Sequence, residues 1–170
     1  MKNLKIKTYI NLSLLTALSL AISLIESMIP MPVPIPGAKL GFSNIIILIS
    51  IYIYDYKKAL GVSVLKSFLL VLITGQAMSF FYSFLGAIFS TTAMYLCLKK
   101  LNMDISLIGV SEVGALFHNI GQIIVAIIFM GNLKMSYYFP VLVFIGVFTG
   151  FFVGLSSGFI IKHLEKIGMV

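Results

Sequence analysis

The sequence predicts an all-α, polytopic membrane protein with six transmembrane helices and both termini in the cytoplasm. Three observations carry this. Hydrophobic residues make up 60% of the 170-residue chain and charged residues only 10%, against about 25% charged in a soluble domain. The apolar residues fall into six runs divided by short polar or proline-rich breaks. The twelve basic residues are all Lys, and they gather at alternate breaks. A domain of this size has too little interior to hide so much apolar surface, and a mean hydropathy of +1.11 excludes a disordered chain. The whole of 1–170 reads as a single integral membrane domain.

The first run, Tyr9 to Ile29, follows Lys2, Lys5 and Lys7. A basic start also describes a signal peptide, but this run is too long for that and a proline-rich segment follows it, so it is read as a retained helix. Residues 28–41, MIPMPVPIPGAKLG, place Pro30, Pro32, Pro34 and Pro36 at alternate positions. Proline fixes φ and removes a donor, so the helix ends and an extended outer segment follows. That segment is either a rigid connector or a lid over a cavity. The second and third runs, Leu40 to Tyr54 and Ala59 to Thr74, are short against the ~20 residues that a bilayer core requires. Snorkelling by Lys39, Lys57 and Lys58 lengthens them; the alternative is a re-entrant pair. The fourth run is Ala77 to Leu98, with the single Cys97 near its end as a small apolar residue. One cysteine forms no intrachain disulfide and no CxxC site. The fifth, Ile105 to Gly131, is long enough to tilt. The sixth, Pro140 to Ile161, carries Gly146, Gly150, Gly154 and Gly158, a groove for close helix contact.

Six spans put nine Lys on one side (2, 5, 7, 57, 58, 99, 100, 162 and 166) and two, Lys39 and Lys134, on the other. The positive-inside rule places the nine in the cytoplasm. Lysines scattered at loop ends also exclude nucleic-acid binding, despite a net charge of +7.

Polar residues inside a membrane are costly and therefore informative. They are Glu26, Asn44, Lys66, Gln76, Tyr82, Glu112, His118, Asn119 and Gln122. Lys66 lies within the third run and needs a partner: Glu112 at a similar depth, an anionic ligand, or the membrane surface by snorkelling. Glu112, Ala115, Asn119 and Gln122 recur at helical spacing with His118 beside them. They form either an interhelical hydrogen-bond network or the wall of a polar pocket. One His without a second ligand at helical spacing does not suggest a metal. Ala17 and Ala21, with Ser13 one turn earlier, make a small-residue face for internal packing or an external partner. No P-loop, H-E-x-x-H or G-x-S-x-G is present. Asp55 and Asp104 are isolated, so the Asp clusters that hold Mg²⁺ on a diphosphate are missing. Neither catalysis nor a cofactor is expected.

The stretch Pro36-Gly37-Ala38-Lys39-Leu40-Gly41-Phe42-Ser43-Asn44 resembles the P-G-x-K-L-G-x-x-N signature of the Gx transporter family, also labelled heptaprenyl diphosphate synthase component I. Leu107-Ile108-Gly109-Val110-Ser111, Gly114-Ala115 and His118-Asn119-Ile120-Gly121-Gln122 look like its fifth-helix pattern. Pro140-Val141-Leu142 with the glycines after it resembles its last helix. The resemblance covers Leu12 to Ile161. That family is similar to the substrate-binding S components of energy-coupling factor (ECF) importers in the bacterial cytoplasmic membrane. The resemblance implies a small vitamin or precursor bound beneath the loop between the first two helices, with Lys39, Asn44, Lys66, Tyr82, His118, Asn119 and Gln122 as the candidate contacts. It also implies docking of the Ala17–Ala21 face on a transmembrane T component driven by paired ATPases. The alternatives are a non-catalytic membrane subunit of isoprenoid diphosphate synthesis and a small transporter with Glu112 and His118 as a proton relay.

Overall fold

A computed structural model describes residues 2–29, 38–101 and 105–168, with side chains from Ile6 onward. Most of the proline segment, Pro30 to Gly37, and Asp104 lie outside the described residues. Six α-helices follow in order: α1 Lys2–Ser27, α2 Asn44–Ile53, α3 Tyr56–Thr74, α4 Ala77–Tyr95, α5 Leu107–Met130 and α6 Phe139–Lys166. A π-helical turn, Leu96–Lys100, prolongs α4, and a 3₁₀ turn, Leu133–Tyr138, leads into α6. Local chemistry sets several ends. Gly75 and Gly131 take the left-handed conformation that closes α3 and α5. The Ser106 hydroxyl accepts from Gly109 N at 3.2 Å and starts α5. The apolar runs and the helices therefore coincide in number and order, with ends shifted by a few residues.

Four helical segments are long and apolar enough to cross a membrane: Ile6–Ser27, Ala77–Lys100, Leu107–Met130 and Leu133–Lys166. Helix α3 has 19 residues but carries Lys57, Lys58 and Lys66. Helix α2 departs furthest from the sequence expectation. Its 10 residues rise only about 15 Å, half the ~30 Å hydrocarbon core. Lys39 does not lengthen it by snorkelling, because that side chain is turned inward and 6% exposed. Helix α2 is instead the central element and touches every other helix. Ile46 to Ile51 are all buried, so α2 is covered around its whole circumference, and apart from Ser50 these residues are apolar, as in a core helix.

Around it the chain packs as α1–α3–α4–α5–α6, with α6 returning to α2. The seams are made of small and hydroxyl residues, and the outward faces of large apolar ones. On α4 the buried positions include Ser79, Ser83, Gly86, Ala87, Ser90 and Thr91. On α6 the outward positions include Phe144, Phe148, Phe151, Phe152 and Phe159. This reverses the arrangement of a soluble bundle and fits helices that pack by close approach in lipid. The α6 glycine series lies on α5: a Cβ on Gly146 would stand 2.5 Å from Asn119 Nδ2, and one on Gly150 2.9 Å from Glu112 Oε2. Gly158, at the far end of the series, would meet only Leu107, at 3.8 Å. Helices α4 and α5 cross at Gly86 and Gly121, where a Cβ on Gly121 would be 2.8 Å from the Gly86 backbone.

Candidate functional site

Helix α1 buries the stripe Thr16, Ser19, Ser23 and Glu26, spaced three or four residues apart and so on one face. Its opposite face, including Ser13, Ala17, Leu18 and Ala21, is exposed. The helix thus presents polar groups inward and apolar groups outward. Glu26, at the end of the stripe, accepts a hydrogen bond from Gly41 N through Oε1. Gly41 has φ +93°, a conformation that glycine adopts freely, and it stands just ahead of the α2 N-terminus, where a carboxylate is favoured by the helix dipole. Ser43 continues the connection: its carbonyl accepts from Ser19 Oγ at 3.4 Å and its hydroxyl from Lys66 Nζ at 2.9 Å.

Lys66 lies ten residues after the start of α3, about 15 Å along it. Of the three partners open to it, Glu112 is not one that it meets. Glu112 faces α6 at Gly150 and lines an outward groove of about 240 Å³ with Val113, Leu116, Val143, Gly146 and Val147. The acid coupled electrostatically to Lys66 is Glu26, which also feels Lys39. Neither lysine is within 4 Å of a carboxylate oxygen among the described residues, where the direct ion pair is Lys58–Asp55 at 3.5 Å.

Gln122 of α5 grips the backbone of Lys39 twice. Lys39 N donates to Gln122 Oε1 at 2.9 Å, and Gln122 Nε2 donates to Lys39 O at 2.7 Å. That pair of hydrogen bonds holds Lys39 against α5, and its ammonium is buried with no hydrogen-bond partner among the described residues. Burial pushes the Lys39 ammonium below its usual range, and the Glu26 carboxylate opposes that shift. His118 fits between two glycines. A Cβ on Gly86 would be 2.8 Å from its Nδ1, and one on Gly41 3.5 Å from its Cδ2. Among the described residues neither ring nitrogen makes a well-formed hydrogen bond, although the ring lies against the Gly86 backbone. Tyr82 is fully buried within the apolar cluster of Ala38, Ile123, Val125, Ala126 and Leu142, and its hydroxyl is also without a partner. Among the described residues the same holds for Asn44 Oδ1, Ser23 Oγ, Ser90 Oγ and Glu26 Oε2, the Glu26 carboxylate also lying by the Ser43 backbone.

All seven candidate contacts are buried, but they divide by role. Lys39, Asn44, Tyr82 and His118 offer unpartnered polar atoms. Lys66 and Gln122 hold the backbone or side chains around residues 39–43. Asn119 turns to α6 and donates to Leu142 O at 2.7 Å. The sequence reading noted Glu26 as a costly polar residue but did not place it in the site. The stripe 16-19-23-26 was the signal that would have placed it. His118 faces α4 at Gly86 while Glu112 faces α6 at Gly150, so the two do not form a proton-relay pair.

Such a molecule, an apolar helical bundle whose polar groups converge inside it, fits a membrane protein. The chain belongs to the heptaprenyl diphosphate synthase component I family, which it matches over residues 15–160. No curated protein and no solved structure matches it.

Proposed function

We propose that this chain is the membrane-embedded, substrate-binding subunit of an ECF-type importer, with its six helices in the membrane, α2 enclosed by the others, and both termini in the cytoplasm of a bacterial cell. The observation that carries this reading is the set of buried, unpartnered polar atoms on Lys39, Asn44, Tyr82 and His118. Unsatisfied buried polar groups cost about 1–3 kcal/mol each. A protein keeps several together where something from outside completes them. Their position beside the segment joining α1 and α2 suits entry from that end. The exposed Ala17 and Ala21 face supports the second half of the reading, an external partner. A T component and its paired ATPases would supply the power.

The test is co-purification and uptake. Ala17→Leu with Ala21→Leu is expected to leave the chain folded and able to retain a bound small molecule. It should abolish capture of a T component and ATP-dependent uptake. Wild-type chain that captures no such module refutes the proposal. The family's description favours one other reading, a non-catalytic membrane subunit beside an isoprenoid diphosphate synthase. Recovery of a soluble prenyl transferase in place of an ATPase module would select it.

A further inference from the structure

The unpartnered atoms differ in kind, and their kinds describe what would complete them. Lys39 Nζ is a cationic donor. Glu26 Oε2 and Asn44 Oδ1 are acceptors, and Tyr82 and His118 can act either way. The fixed charges are equally specific. One carboxylate, Glu26, is coupled to two ammonium groups, Lys39 and Lys66. Lys66 already donates to Ser43, and Glu26 already accepts from Gly41. With Glu26 ionised and both lysines protonated, one ammonium is in excess, and Lys39 is the one whose Nζ has no hydrogen-bond partner among the described residues. A buried cation without a counter-charge is far more costly than a buried neutral group.

We propose that the site takes a small organic monoanion that also carries N–H or O–H donors, its acid group on Lys39 Nζ and its donors on Asn44 Oδ1 and Glu26 Oε2. This rests on the binding-subunit reading above. A diphosphate brings two or three negative charges, commonly held with divalent cations by several acidic side chains. Here its surplus charge would meet the single Glu26 carboxylate. An uncharged quinone or prenyl chain would leave both the ammonium and the acceptors unsatisfied.

The experiment uses full-length protein purified in detergent, washed and denatured, with the released small molecules identified by mass spectrometry. Wild type, Lys39→Met, Lys39→Arg and Tyr82→Phe are compared. Wild type is expected to release one species bearing a single acid group and at least one N–H or O–H donor. Lys39→Met should lower the amount by about tenfold or more, as loss of one member of a buried charge pair does, and Lys39→Arg should recover most of it. Tyr82→Phe removes only a hydroxyl, so its expected severalfold loss keeps the test readable if Lys39→Met does not fold. Release of a diphosphate ester or an uncharged lipid overturns the monoanion and leaves the binding subunit standing. Equal release from wild type and folded Lys39→Met overturns the role given to Lys39. If wild type releases nothing, and a small-molecule extract of the same cells does not raise its thermal midpoint, both readings fall.

Discussion

One glutamine amide holds both the N–H and the C=O of Lys39, and so fixes the point from which its buried side chain extends. Gln122→Leu keeps the bulk and removes the grip, leaving the N–H and C=O of Lys39 unpaired at about 1–3 kcal/mol each if they stay buried. The expected outcome is a chain that folds but is cut faster by protease between α1 and α2, with less retained small molecule. The Lys39 ammonium also sets a pH dependence. Its folded value is depressed, so the unfolded chain binds the proton more tightly and stability of the empty protein rises with pH across that alkaline interval. Thermal midpoints measured against pH should rise less steeply in Lys39→Met than in wild type. At Gly86 an added Cβ would meet the His118 ring at 2.8 Å. Gly86→Ala should therefore cost about 1–3 kcal/mol as overpacking does, read as a lowered midpoint. The identities of the polar residues were legible in the sequence because charge in an apolar run is conspicuous. Their partners were not. For Lys66 depth left Glu112, an anionic ligand and the membrane surface equally open, whereas its ammonium donates to Ser43, two residues from the Gly41 that Glu26 holds.

Helices α3 and α4 are joined by a ladder of hydroxyls. Ser67 and Ser83 meet at 3.0 Å, Thr91 donates to Ser63 at 3.3 Å, and Tyr56 and Thr92 meet at 2.9 Å. Bonds of this kind average about 0.6 kcal/mol between helices in a membrane. Ser67→Ala should thus shift the thermal midpoint little, while Gly150→Leu, which drives bulk into the α5 backbone, should block folding. Runs, breaks and the glycine seam were readable from hydropathy and spacing. Helix α2 was not, because a run of isoleucine and leucine looks the same to lipid and to a protein core. The distinguishing feature is length, and the neighbouring Lys39 concealed it by suggesting a snorkelled extension. For α1, composition left the Ala17–Ala21 face open to internal packing or an external partner, and its exposure shows that it does not pack inside the chain.

At the scale of the whole molecule, the lysine count makes a claim that single-cysteine labelling can check. In a Cys97→Ser background, cysteines at Lys58 and Lys100 are expected to react with a membrane-impermeant reagent from one side, and a cysteine at Lys134 from the other. A shared side for all three would break the proposed arrangement of loops. The central position of α2 also bears on how the chain is made. A helix of 10 residues is too short to leave the ribosome and partition into lipid as an independent span. Its surroundings include α4 and α6, which are synthesised later. During biogenesis α2 must therefore wait, paired only with α1 and α3, until the C-terminal half arrives to enclose it. Nascent chains halted after Gly75 should expose it, and they are expected to be the forms that membrane quality-control proteases remove first.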